Sequence, residues 1–541
     1  MRSTSGERGC FGDTLRRLVP LLFSLWIALV LSPELSASGL SRSAGSCSSG
    51  KSGSPLLRYL HLQSLERRRH SAFHPLGDPR DALAARIFLI DHAGSTIDLQ
   101  YYIYEDDQTG DLIAYHLLKA AERGVKVHIL LDDLITSGKD VELKMMASHP
   151  NIELRLFNPN PLRRSFRNLA LLFNIDSLGK RMHNKALIAD GVAAIVGGRN
   201  IGDVYYAADR ETLFLDYDIL ATGEIVSNIC DEFDLYWKSD EVKPSEAVLE
   251  GSYSDSEYRR EKRAMLLRSA EFRESPIGQA VAQSNFAREL KRGGIGMTVA
   301  KSAELYYDYP EKVTRDERET ETHISSRIRT HLRRVERKLL IISPYFIPSE
   351  TMMQQIKKVR SRGVEVTVIT NSLASTDVFP VYSAYRWSIE DLLKAGVHLY
   401  ELKPRSFSSI TRSKKWLKSH RTSLHTKMIV IDDDRLIVGS ANLDPRSDKL
   451  NTELVLVIDS PLLVKEKWHL VRQLLNEKNF YRLSFGLCPR GESDEDGLEK
   501  GPLWHTLEQG RERLFCSPPG AGFFKTLGTD LLSFLPIEGY L

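Results

Sequence analysis

The strongest constraint on the fold of this chain is an internal repeat. In the first half, Ile97 to Ile103 reads as a strand, and Asp111 to Arg123 as a helix with apolar residues at Leu112, Ile113, Leu117, Leu118 and Ala121. A second, buried-type strand, Val125 to Leu131, follows Arg123-Gly124. The second half repeats the order with Leu339 to Phe346, Met352 to Val359 and, after Arg362-Gly363, Val364 to Ile369. Gly363 lies 239 positions after Gly124. Strand, helix and strand in this order make a βαβ unit, and such units build parallel sheets covered by helices. Glycine suits the position just past a helix end, where the backbone turns left-handed. The expectation is an α/β protein of two similar domains facing each other, each a mixed, largely parallel sheet flanked by helices.

The remaining segments divide around these units. Residues 1–54 are expected to be an export signal or membrane anchor plus a tether. Arg2, Arg8, Arg16 and Arg17 precede an apolar run from Leu18 to Leu31, and Ser36-Ala37-Ser38 offers a small-residue cleavage site. The run is short of the roughly 20 residues of a spanning helix, and cleavage or retention is left open. Cys47 lacks the setting of a lipidation signal. Residues 55–241 and 316–480 form the two domains, 242–315 a charged connection, and 481–541 an extension. That extension ends in Phe523, Phe524, Leu527, Leu531, Leu532, Phe534 and Leu535, either a core helix face or an interfacial membrane helix. The five cysteines have no CxxC pair and no framework spacing, and are expected to be buried or free thiols.

Chemistry concentrates where the repeat is most exact. His183-Asn184-Lys185 is followed by Asp190, and His425-Thr426-Lys427 by Asp432, with the same spacing; the histidines lie 242 positions apart. On an extended segment, residues two apart share a face, so each histidine is paired with its lysine. Return strands from Ala193 to Val196 and Leu436 to Val438 end in small-residue turns with asparagine, Gly197-Gly198-Arg199-Asn200 and Gly439-Ser440-Ala441-Asn442. This inventory suits a phosphodiester. Lysine neutralises its charge, and Gly198, Ser440, Asn200 and Asn442 are candidates to approach its oxygens. One neutral imidazole attacks phosphorus while a second, protonated, donates to the leaving oxygen. Each imidazole wants a carboxylate to orient it, and Asp216 and Glu453 stand downstream of the two motifs. No metal or cofactor is required by these residues.

HNKALIAD with GGRN, and HTKMIVID with GSAN, resemble the paired HKD motifs of the phospholipase D superfamily. IDLQYYIY, RGVKVHILLDD, ISPYFIP, TNSLASTDV, LNTELVLVID and the terminal LPIE extend the resemblance, from about Phe73 onward, to the bacterial cardiolipin synthase C-type branch. The resemblance implies a pseudo-twofold pair of domains with the active site at their interface, and phosphatidyl transfer through a phosphohistidine. It implies His183 as nucleophile, His425 as acid, and Lys185, Lys427, Asn200 and Asn442 as phosphate holders. Asp190 and Asp432 belong to the catalytic motif and are expected to brace its loop. Ala441 stands where a bulkier residue is common.

The implied partners are phospholipids, phosphatidylglycerol with phosphatidylethanolamine as a candidate co-substrate, at a bacterial inner membrane with the catalytic domains on the periplasmic side. Oligomeric state is not legible. The basic stretch from Lys403 to Arg421, with Phe407 and Trp416, reads as a solvated loop or as a surface for anionic lipid headgroups. A hydrolase with the same residues and a nuclease are the alternatives; a formal net charge of only +3 argues against nucleic acid.

Overall fold

The computed structural model describes residues 53–62, 69–136, 139–159, 179–249, 254–314, 323–406, 421–488, 500–508 and 510–520. Two large sheets dominate it. From edge to edge the first contains Thr298–Val299, Ala72–Leu76, Asp218–Thr222, Ala193–Gly197, Ala186–Ala189, Thr96–Tyr101, Lys126–Asp132, Ile152–Phe157 and Val242–Pro244. The second contains Ser302–Tyr307, Leu454–Asp459, Arg435–Gly439, Met428–Ile431, Lys338–Ile342, Glu365–Asn371, His398–Leu402, Phe480–Leu487, Lys500–Glu508 and Arg511–Phe515.

The repeat is borne out strand by strand, but the sheets are less parallel than expected. Only Thr96–Tyr101, Lys126–Asp132 and Ile152–Phe157, and their counterparts Lys338–Ile342, Glu365–Asn371 and His398–Leu402, run parallel. Every other pair in the two large sheets is antiparallel. The reason is local: the motif strands return through tight turns at Asp190-Gly191 and Asp432-Asp433, and a tight hairpin forces antiparallel pairing. The helices follow their sequence signals. Asp78 caps Pro79–His92 through the Arg80 N–H, Asp107 caps Gln108–Glu122 through the Gly110 N–H, and Gly124 (φ 93°) ends the latter. Glu350–Ser361 ends likewise at Gly363 (φ 83°).

Three apolar clusters hold these layers, and the middle one draws on both halves. It joins Phe73, Ile188 and Phe233 of the first to Val430, Leu456 and Val464 of the second. A shared apolar core of this kind fixes how the halves face each other.

The stretch read as a connection is divided between the halves. Val242–Pro244 and Thr298–Val299 close the edges of the first sheet, and Ser302–Tyr307 opens the second. Asp255–Glu274, begun by a Ser254/Glu257 capping box, packs on the first domain and ties Arg268 to Asp111 at 2.9 Å. Beyond Asn479 the second sheet continues through three antiparallel strands, and Cys488 and Cys516 at its end form a disulfide (Cα–Cα 5.7 Å). The expectation of only buried or free thiols is therefore corrected. The pair is 28 positions apart with no motif spacing, and only the strand meander brings it together. No helix among the described residues is long and apolar enough to cross a membrane. Leu18 to Leu31, most of the stretch from Lys403 to Arg421 and the tail from Gly522 lie outside the described residues.

Candidate active site

Each motif histidine sits just before its strand, on a segment stitched to the other half. The His183 N–H donates to the Thr452 carbonyl (2.9 Å), and the Thr452 N–H to that of Arg181 (2.9 Å). Arg421–Leu424 runs parallel to Thr212–Leu215, and the His425 N–H donates to Leu215 O at 2.8 Å. The residues immediately after these cross-links are Glu453 and Asp216.

The carboxylates consequently cross over. His183 Nδ1 lies 2.9 Å from Glu453 Oε2 and 3.1 Å from Oε1, and His425 Nδ1 lies 2.5 Å from Asp216 Oδ2. Each imidazole is oriented by the opposite half, which neither motif's own downstream neighbourhood discloses. With Nδ1 engaged, Nε2 is the ring nitrogen left for substrate, and at His425 it has Lys427 Nζ 3.2 Å away. The lysines are buried beside them. Lys185 Nζ donates to His183 O and Lys427 Nζ to His425 O, both at 2.6 Å. Tyr102 stands edge-on to His183 at 5.0 Å, while Phe214 stacks on His425 at 5.3 Å and Tyr205 meets it edge-on at 5.2 Å.

Burial and the surrounding cations set the charges. Burial, then Lys185, Lys427, His425 and Arg446, hold the His183 imidazole well below its usual pKa, so it stays neutral. Burial and Lys427 also lower His425, opposed by Asp216. Burial alone would raise Asp216, but His425, Lys427 and Arg199 outweigh it and keep the carboxyl below its ordinary range. Burial lowers Lys185 to about 7.

The small-residue turns serve the carboxylates. A Cβ on Gly198 would meet Asp216 Oδ1 at 2.2 Å, so this glycine makes room for the carboxylate. At the matching place the Ser440 hydroxyl donates to Glu453, as does that of Ser447 (2.7 Å). The expectation that Gly198 and Ser440 approach phosphate is corrected: both are spent on the histidine partners. Asn200 is held by the Ile103 N–H (3.2 Å) and donates to the Tyr205 hydroxyl (2.8 Å). Asn442 Oδ1 is buried with no hydrogen-bond partner among the described residues and lines a cavity of about 290 Å³, which leaves it the freer of the two.

Asp190 and Asp432 face away from the histidines. Asp190 accepts from the N–H groups of Gly94, Ser95 and Thr96 and from the Ser54 hydroxyl; Asp432 accepts from those of Glu336, Arg337 and Lys338. Both adopt positive φ, 56° and 50°, where the carboxylate's bonds to the facing loop hold the turn. Two groups escaped the sequence reading. Arg199, inside the first turn, donates to the carbonyl of Asp216 (2.6 Å) and pairs with Asp218 (3.2 Å). Ser447 had no signal beyond its closeness to the second motif.

Two histidines with crossed carboxylates and buried lysines on a duplicated α/β frame define a phosphoryl-transfer site built from both halves. The family described as "Cardiolipin synthase, PLD-like domain" matches residues 87–237 and 328–475, and the chain belongs to this phospholipase D-like family. It is 36% identical over 471 residues to cardiolipin synthase C of Escherichia coli (strain K12), covering 86% of this chain and 95% of that protein. It is 24% identical over 371 residues to cardiolipin synthase A of Pseudomonas putida (strain GB-1), covering 68% and 61%. The crystal structure of phosphatidylserine synthase from Haemophilus influenzae Rd KW20 shares the fold: TM-score 0.50, 16% identity, covering 75% of this chain and 89% of that one.

Proposed function

We propose that this enzyme transfers a phosphatidyl group between alcohols and makes cardiolipin from phosphatidylglycerol. The observation that carries the reading is the pair of crossed dyads, His183–Glu453 and His425–Asp216, each with its motif lysine buried beside the histidine. In the first half-reaction His183 Nε2 attacks phosphorus, the bond to the headgroup oxygen breaks, and His425 gives its proton to the departing alcohol. In the second, His425 takes the proton of an acceptor hydroxyl, that oxygen attacks phosphorus, and the P–N bond breaks to return neutral His183. Two phosphatidylglycerols then yield cardiolipin and glycerol; a phosphatidylethanolamine donor yields ethanolamine instead. The stronger depression of His183 supports it as the attacking base, and the ionised Asp216, which opposes the lowering of His425, makes His425 the better proton carrier of the two. Phosphate binding in this reading falls to Lys185 and Lys427, the cations buried beside the two imidazoles.

The site is assigned to the outer face of a bacterial inner membrane. The apolar run from Leu18 to Leu31 supports this, as does the Cys488–Cys516 disulfide, since such bonds persist in oxidising compartments. A reporter fused after Leu541 should be active only outside the cytoplasm. The activity is tested by mass spectrometry of lipids after incubation with phosphatidylglycerol, with His183→Ala as control. Phosphatidic acid without cardiolipin at every acceptor concentration would replace the transferase reading with the hydrolase.

A further inference from the structure

Behind the second dyad lies a cavity of about 510 Å³, walled mainly by apolar side chains. Its inner wall is the cross-half strand pair itself: Phe214, Leu215 and Asp216 on one side, Leu424 and Thr426 on the other. The helix Pro461–Leu474, the segment around Pro75, the helix Pro276–Ala282 and strand residues of the second sheet such as Ile342 and Ile369 line the rest.

The matching place behind the first dyad is filled. There Asn184 Nδ2 donates to Glu232 Oε1 at 2.7 Å, and Gln100 Nε2 to the same oxygen at 3.2 Å, all three side chains buried. The ladders make the comparison direct. Gln100 pairs with the residue that follows Lys185, and Ile342 with the residue that follows Lys427. So Ile342 and Thr426 stand where Gln100 and Asn184 stand in the first half. Where the helix Ile225–Trp237 supplies Glu232, Pro461–Leu474 supplies Leu470 and Leu474. One half plugs the space with a polar network; the other leaves it open and apolar, with Leu470 42% exposed at the margin.

We infer that this cavity binds one long hydrocarbon chain, the acyl group of a lipid, against the back of the His425–Asp216 pair. An apolar cavity is poorly suited to ordered water, and one of about 150 Å³ already takes benzene. About 510 Å³ holds roughly three such volumes, which suits a flexible acyl chain. A helix, about 10–12 Å across with its side chains, would need a groove open along its length. The wall also carries charges of both signs, Arg80 and Lys467 with Asp78, Asp81 and Glu466, so the site selects for the chain more than for a headgroup charge. This is separate from the phosphate site, because Thr426 and the His425 imidazole leave their extended segment on opposite faces. A chain in the cavity supports Leu424 and Phe214 from behind, and so the hydrogen bond between the dyad partners. The inference rests on the transferase reading only for the source of the chain.

The test uses the full-length protein carrying His183→Ala, so that binding is read without turnover and its failure leaves the transferase reading standing. The probes are cis-parinaric acid and vesicles of phosphatidylglycerol bearing one parinaroyl chain. Saturable fluorescence gain at one site per protein is expected, with binding at least tenfold weaker in Leu470→Trp and Leu474→Trp and unchanged in Leu474→Met. Gain with the free acid alone identifies a fatty acid as occupant, and gain with vesicles identifies the membrane lipid. No saturable gain with either probe, or equal binding in tryptophan variants that melt like the parent, overturns the inference. Should the tryptophan variants not fold, a diazirine-bearing fatty acid on the parent protein decides. Crosslinks on 461–475 or 213–217 support the site, and crosslinks confined elsewhere refute it.

Discussion

Replacing Asp216 with asparagine should separate the two half-reactions, because the structure dictates how the new amide must turn. The Tyr217 N–H donates to Asp216 Oδ1 at 2.7 Å, leaving Oδ2 for His425 Nδ1 at 2.5 Å. In asparagine the carbonyl oxygen must keep the Tyr217 N–H, so the NH₂ faces His425. Nδ1 then has to accept, which puts the proton of a neutral ring on Nε2, the nitrogen that must take the acceptor's proton. Losing a charge-assisted bond costs about 1.5–3 kcal/mol. The wrong tautomer brings the total to about 10³–10⁴ in rate, or roughly 4–5.5 kcal/mol. Attack by His183 is untouched, since its partner is Glu453. With a phosphatidyl ester of p-nitrophenol, whose leaving group needs no acid, rapid-quench kinetics should show a full burst of p-nitrophenolate, within tenfold of the parent rate. A steady state slower by about 10³–10⁴ should follow, with the adduct on His183. Glu453→Gln should instead slow the burst itself. A burst lost in Asp216→Asn and kept in Glu453→Gln would exchange the roles of the histidines. Equal loss in both would refute the division of labour.

Gly198→Ala drives a methyl into the Asp216 carboxylate and should lower kcat at least a hundredfold with little change in KM, read by lipid turnover. Because burial lowers Lys185 to about 7, the free enzyme loses that positive charge as pH rises through 7. The kcat/KM profile should therefore already be falling at pH 7, because the proton that His425 must donate is also lost below its usual pKa, while the acid limb, set by the more strongly depressed His183, should lie lower still. A flat profile from pH 6.5 to 9 would contradict this. Asp190→Ala strands the N–H groups of Gly94, Ser95 and Thr96 and should destabilise the fold by about 2–4 kcal/mol in denaturant titration. Cys488→Ser opens a cross-link spanning 28 positions and should cost about 3–4 kcal/mol in the same assay, in the chain-entropy account.

What the sequence determined by itself is local and periodic. The βαβ alternation, the glycines after the helices and the two HxKxxxxD spacings each express a short-range rule, because strand period, helix capping and hairpin turns act over a few residues. The turns at Asp190 and Asp432 were legible for the same reason, but the N–H groups that their carboxylates hold lie 94 to 96 positions away and are supplied by the sheet. The pairing of Glu453 with His183 and of Asp216 with His425 was not, at separations of 270 and 209 positions. Nothing local distinguishes the crossed arrangement from the uncrossed one. It follows from the apolar cluster shared by the two sheets, which brings Thr452 beside Arg181 and Leu215 beside His425. The same closure turns Gly198 and Ser440 from apparent phosphate contacts into supports for the carboxylates. Side-chain type announces what a residue can do; which partner it meets is decided only when the two halves pack.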